Sequence, residues 1–157
     1  MDVASFDDIK EEFDRRVSRI VWATVTTVDN QNRPRARILH PLWEGSTGWI
    51  MTGRHTFKSK HIEKNPYVSV SYWDPQHEQV FAECRAQWDD DPATKRRIWD
   101  LFKDTPEPYG YDPALFFRNG PGDPEFGVLR LVPWRIELWS LQAMVSGQPP
   151  RVWRARE

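Results

Sequence analysis

The 157-residue chain has one cysteine, Cys84, which excludes an intrachain disulfide framework and a four-cysteine zinc site. It has no excess of either charge. Lys and Arg total 22, Asp and Glu total 23, and the formal net charge of -1 lacks the basic footprint of a nucleic-acid or anionic-membrane binder. No apolar run approaches the ~18 residues of a membrane span. The opening segment MDVASFDDIKEEFDRR is charged and lacks the apolar stretch of a secretory signal. There is no internal repeat and no low-complexity segment. GxSxG, the P-loop, a GxGxxG opening a helix and HExxH are all missing, so serine hydrolase, P-loop kinase, Rossmann dehydrogenase and zincin chemistry have no support. A single soluble, cytoplasmic domain over 1–157 is expected, with neither nucleic acid nor membrane as partner.

What is plentiful is tryptophan, 9 residues, and proline, 13. Trp offers a large flat apolar surface suited to a core, a subunit contact or a planar ligand. Along the chain, Ser5 with Asp8 three residues on imitates a capping box, and Phe6, Ile9, Phe13 and Val17 then repeat at helical spacing. Strands are predicted over 20–28, 35–43, 49–52, 67–73 and 79–88, the first two separated by the turn DNQNRP. A short helix is predicted over 56–65, stopped by Pro66, and a second begins after Asp89–Pro92. Residues 104–125 are rich in Pro and Gly and read as an irregular loop holding Tyr109, Tyr111, Phe116 and Phe117, which would cover a planar ligand or simply pack. Strands FGVLRLV and WRIELWS follow on either side of Pro133. The tail from Gly147 to Glu157 is expected to be extended and docked on a partner subunit. Six or seven strands, mostly sequential neighbours, suggest an antiparallel meander closed or nearly closed into a barrel.

Arg35 and Arg37, two apart on a strand, share a face, and Lys58 and Lys60 stand at a helix start. Such cations would fit a dianionic phosphate, or else form a solvated charged surface. His40, His55, His61 and His77 show no ligand spacing, so no metal site is expected. Cys84 lies inside a strand pattern and reads as a buried inert thiol.

The segments RARILHPLWEGSTGWIMT, GRHTFKSKHIEKNPYVSVSYWDP and HEQVFAECRA, with the late LRLVPWRIELWS, resemble the pyridoxamine 5'-phosphate oxidase-like superfamily, the FMN-binding split barrels. The similarity runs in order over roughly residues 15 to 140. It implies a mostly β, six-stranded antiparallel split barrel with peripheral helices. The barrel would form a homodimer, with FMN in clefts between subunits. The resemblance places Arg37, or one register earlier Arg35, on the FMN phosphate, with Lys58 as the second cation and Ser59 as a hydroxyl partner. Ile38 and Leu39 would lie along the isoalloxazine through their backbone. Met51 and Thr52 would line the ring, Thr52 donating a hydrogen bond. Gln79 would bond the flavin edge, and Trp139 would approach the other face.

Departures from the oxidase pattern are specific. Phe57 stands where the oxidases have an Arg before the phosphate Lys. LQAMVSG replaces their Arg-x-His stretch, and His40 or Leu42 replaces the substrate lysine. Pyridoxamine phosphate oxidase activity is therefore not expected. The resemblance implies an FMN-dependent oxidoreductase passing a hydride through flavin N5 to or from a small-molecule substrate that the sequence does not identify, with no catalytic acid or base assigned. Two alternatives stay open. One is a reductase using the 8-hydroxy-5-deazaflavin coenzyme, whose anionic tail Arg35, Lys60 and Arg118 would serve. The other is a flavin or haem carrier without turnover.

Overall fold

The computed structural model describes residues 1–156; Glu157, the end of the expected tail, lies outside them. Helix α1, Asp7–Ile20, buries Ile9, Phe13 and Val17 at helical spacing against the sheet, as the periodicity predicts. Each such buried side chain contributes about 1.5–3 kcal/mol. Its start is one residue later than a Ser5 cap would give. Phe6 is the N-cap, with no side-chain cap, and only half of the expected box forms, the Asp8 carboxylate accepting from the Ser5 N–H at 2.9 Å.

Eight strands follow: β1 Ala23–Val28, β2 Pro34–Leu39, β3 Leu42–Glu44, β4 Thr47–Gly53, β5 Tyr67–Trp73, β6 Glu78–Trp88, β7 Phe126–Ser140 and β8 Arg151–Arg154. They are antiparallel neighbours in the order β2-β1-β5-β6-β7-β4-β3, with β8 added beside β7. The two ends of this path, β2 and β3, are consecutive in the chain and do not pair with each other, so the sheet is an open, split barrel.

The eight strands differ from the predicted set at three places. The predicted strand 35–43 breaks at His40–Pro41, because proline cannot donate to a ladder and pushes the residue before it off a regular path. The two predicted strands flanking Pro133 are one, β7, because a register shift opposite Glu83/Cys84 absorbs the missing donor as a bulge. The tail is extended, as expected, but its Arg151–Arg154 segment pairs with β7 of its own chain.

Helix α2, Phe57–Lys64, and helix α3, Pro92–Asp104, stand where predicted. Asp91 caps α3, its carboxylate accepting from the Thr94 N–H at 3.0 Å, with Pro92 in the first turn. A short helix α4, Leu141–Val145, follows β7. The barrel interior, including Val25, Val70, Val80, Ala82 and Ile136, packs on α1. A second core of Trp49, Met51, Ile98, Phe102 and Phe126 joins α3 to β4 and β7. The loop 105–125 lies over this second core, with one 3-10 turn at Pro113–Leu115.

Candidate functional site

Alternation along β2 turns Arg35 and Arg37 to the face shared with Val25 and Thr27 of β1. The two arginines then diverge. Arg35 is largely exposed and lies 3.7 Å from the Asp29 carboxylate. Arg37 folds back over β1, donating to Thr27 Oγ1 at 3.0 Å and to the Val25 carbonyl at 3.3 Å. Thr27 Oγ1 in turn lies 3.2 Å from His61 Nδ1 on α2. Lys58, on the first turn of α2, is buried and donates to Thr56 Oγ1 at 2.8 Å. Burial, and then the Arg37 charge, hold its ammonium pKa down at about 8. Burial and then Arg35 likewise lower that of Arg37. Neither Arg37 nor Lys58 pairs with a carboxylate among the described residues, so two neighbouring cations stand uncompensated. Ser59 is engaged elsewhere, its hydroxyl accepting from Arg54 at 2.7 Å.

The residues of β2 that follow Arg37, together with β4, line a cavity of about 540 Å³. Ile38, Leu39, Met51 and Thr52 form one wall of it. Trp22, His40 and the 107–117 loop form the rest. The loop is fixed at its base. Trp43 N–H donates to the Tyr109 hydroxyl at 2.7 Å, His40 Nε2 lies 2.7 Å from the Tyr109 carbonyl, and a Cβ on Gly110 would sit 2.0 Å from the Thr105 carbonyl oxygen, so no side chain fits there.

Gln79 and Trp139 are directly opposite on β6 and β7, and Trp73 is opposite Gln79 on β5, so all three share the outer face of the sheet. Ile38 shares that face through Thr24, Ser71 and Phe81. Ile38 and Trp22 line both the cavity and a second depression that contains Gln79. The structure thus gathers Arg37 with Lys58, and Ile38, Leu39, Met51 and Thr52 with Gln79 across a shared ridge. Trp139 lies beyond Gln79, its indole N–H donating to Glu137, and Arg35 and Ser59 are turned to other partners.

Four contributors escaped sequence reasoning. Trp22 looked like a strand residue, and Thr27 and His61 gave no motif. Arg16 is the fourth, and it had a signal: a cation one residue from Val17 and three from Phe13 on the apolar face of α1. It is buried, and its guanidinium donates to the Gln79 and Trp139 carbonyls at 2.8 and 2.6 Å, clamping the ends of β6 and β7.

An open antiparallel barrel with peripheral helices is the split-barrel class. The profile of the pyridoxamine 5'-phosphate oxidase family matches residues 9–140, and the chain belongs to that family. Among solved structures, a Clostridium acetobutylicum protein related to general stress protein 26 is similar at 14% identity and TM-score 0.75, over 94% of this chain and 95% of that one. A Nostoc punctiforme FMN-binding protein related to pyridoxamine 5'-phosphate oxidase is similar at 17% identity and TM-score 0.64, over 99% and 98%. An F420 reductase is similar at 18% identity and TM-score 0.60, over 78% and 94%. No curated protein matches the chain.

Proposed function

We propose that the chain is an FMN-binding oxidoreductase that works as a homodimer. The observation that carries this is the pair Arg37 and Lys58, two buried or half-buried cations with no carboxylate partner among the described residues, which a dianionic phosphate would neutralise. The residues beside them fit the rest of the cofactor. Met51 and the backbone of Ile38 and Leu39 give a flat tricycle apolar contact, and Thr52 and Gln79 supply polar groups for its edge. Bound FMN would supply two-electron hydride chemistry between a reduced nicotinamide or an organic donor and an acceptor. The chain's own residues hold the phosphate, orient the ring and exclude water, and no acid or base is assigned. The membership in the family and the fold shared with an FMN-binding protein support the same reading.

The homodimer rests on the outer sheet face. Trp22, Ile38 and Trp73 are 57%, 59% and 57% exposed there, an apolar patch that a second copy would cover while closing a cleft over Gln79. No described helix is long and apolar enough to cross a membrane. A cytoplasmic setting belongs to the same reading, with Cys84 unpaired and buried.

The test is reconstitution with FMN followed by a visible spectrum. Stoichiometric colour that Lys58→Ala releases supports the proposal, and colourless protein without FMN affinity overturns it. A second reading, deazaflavin in place of FMN, is favoured by the exposed Lys60 and Arg118, which would meet an anionic tail, and by the fold shared with an F420 reductase. Paired titrations with the two cofactors separate them. Holoprotein that oxidises reduced nicotinamide no faster than free FMN would instead indicate a carrier.

A further inference from the structure

The flavin reading uses the β2 and β4 wall of the 540 Å³ cavity and leaves the opposite wall, His40, Tyr111, Leu115 and Phe116, without a role. His40 stands in the split of the barrel, on the two-residue link between β2 and β3. Its ring is packed among aromatics, with centroids 5.0 Å from Trp22, 4.8 Å from Tyr111 and 6.2 Å from Phe102. Its Nε2 lies 2.7 Å from the Tyr109 carbonyl oxygen. A carbonyl can only accept, so Nε2 carries the proton. Burial disfavours the imidazolium more than that carbonyl favours it, which leaves Nδ1 a bare lone pair. Nδ1 has no hydrogen-bond partner among the described residues. Among the described residues no lysine or arginine lines the cavity, and the one carboxylate that does, Glu107, is exposed and repels anions.

We infer that this wall receives a planar, uncharged aromatic substrate that donates one hydrogen bond, from a hydroxyl or an N–H, to His40 Nδ1. As a substrate site it rests on the flavin reading; as a binding site it stands without it. Flat apolar neighbours select the ring, the Glu107 carboxylate disfavours anions, and an acceptor covered by the bound ring discriminates against ligands that leave it unpaired.

Three probes test this by calorimetric titration, with and without saturating FMN: 2-naphthol, 2-methoxynaphthalene and 2-naphthoate. The expected order is 2-naphthol tighter than 2-methoxynaphthalene by roughly fivefold, the size of one net hydrogen bond, with 2-naphthoate weakest. His40→Phe should abolish the difference between the first two while still binding both. Imidazole ¹⁵N shifts of the wild-type protein give a readout independent of any variant: Nε2 protonated, Nδ1 unprotonated, and Nδ1 moving with 2-naphthol only. Equal binding of the two neutral probes, a preference for naphthoate, no binding of any probe, or an Nδ1–H tautomer would each overturn the inference. If FMN fails to bind while the naphthol preference persists, the flavin reading falls and the site remains.

Discussion

Raising the pH from 7 to 9 should weaken FMN binding about tenfold in the wild-type chain and leave Lys58→Ala nearly unchanged. In the free protein, burial and the Arg37 charge place the Lys58 pKa at about 8. A bound phosphate dianion favours the charged ammonium and raises that value, so binding above pH 8 takes up a proton. Below pH 8 the ammonium is already formed and contributes fully. Above it, affinity falls in proportion to the protonated fraction, which drops about tenfold between pH 7 and 9 for a group titrating at about 8. The phosphate's own second ionisation near pH 6 lies below this window. At pH 7, Lys58→Ala removes one charge-assisted bond, about 2 kcal/mol or roughly thirtyfold in Kd. Quenching of flavin fluorescence reads the Kd at each pH. Riboflavin, which lacks the phosphate, serves as control and should show no slope. A wild-type FMN Kd that is flat from pH 7 to 9, or an equal slope in Lys58→Ala or with riboflavin, would refute the assignment of Lys58 to the phosphate.

Arg16→Met should cost about 3 kcal/mol in urea unfolding, because two half-buried carbonyls on β6 and β7 lose the donor they share on the buried Arg16; a loss under about 1 kcal/mol would show that the clamp is dispensable. Trp43→Phe should cost about 2 kcal/mol by the same assay, since it strips the donor from the fully buried Tyr72 hydroxyl, which accepts from the indole N–H at 2.9 Å; an unchanged midpoint would contradict this. Trp73→Glu should convert the proposed homodimer to monomer in sedimentation equilibrium, with the far-UV spectrum retained; a monomeric wild type, or a dimer that survives the change, would overturn the assignment of this face. Burial pushes the Cys84 thiol pKa well up, so an aromatic disulfide reagent should label it only after unfolding; labelling in the native state would show that the β6 core opens.

Much of the architecture was legible because period-2 and period-3.6 patterns coincide with burial. β1 alternates inward Ala23, Val25 and Thr27 with half-exposed partners, and α3 carries its own cap at Asp91 and its apolar group Ile98, Trp99 and Phe102. Proline was the ambiguous mark. Pro41 ends a strand and Pro133 does not, because the bulge opposite Pro133 absorbs the lost donor, and no local pattern announces a bulge set by a partner strand. Strand β8 was hidden for a similar reason, since its pairing on β7 joins residues far apart in sequence. At the site, the β2 alternation put Arg35 and Arg37 on one face but could not choose between them. The choice appears only when Asp29 draws off Arg35 and Thr27 holds Arg37. The acceptor wall at His40 depends on a carbonyl 69 residues away and has no counterpart in any spacing rule.

The most direct test is a crystal structure of the protein grown with FMN. The phosphate is expected between the Arg37 guanidinium and the Lys58 ammonium, with the ring against Met51 and Thr52 and its polar edge toward Gln79. A phosphate bound away from both cations, or a ring lodged outside that cleft, would contradict the assignment.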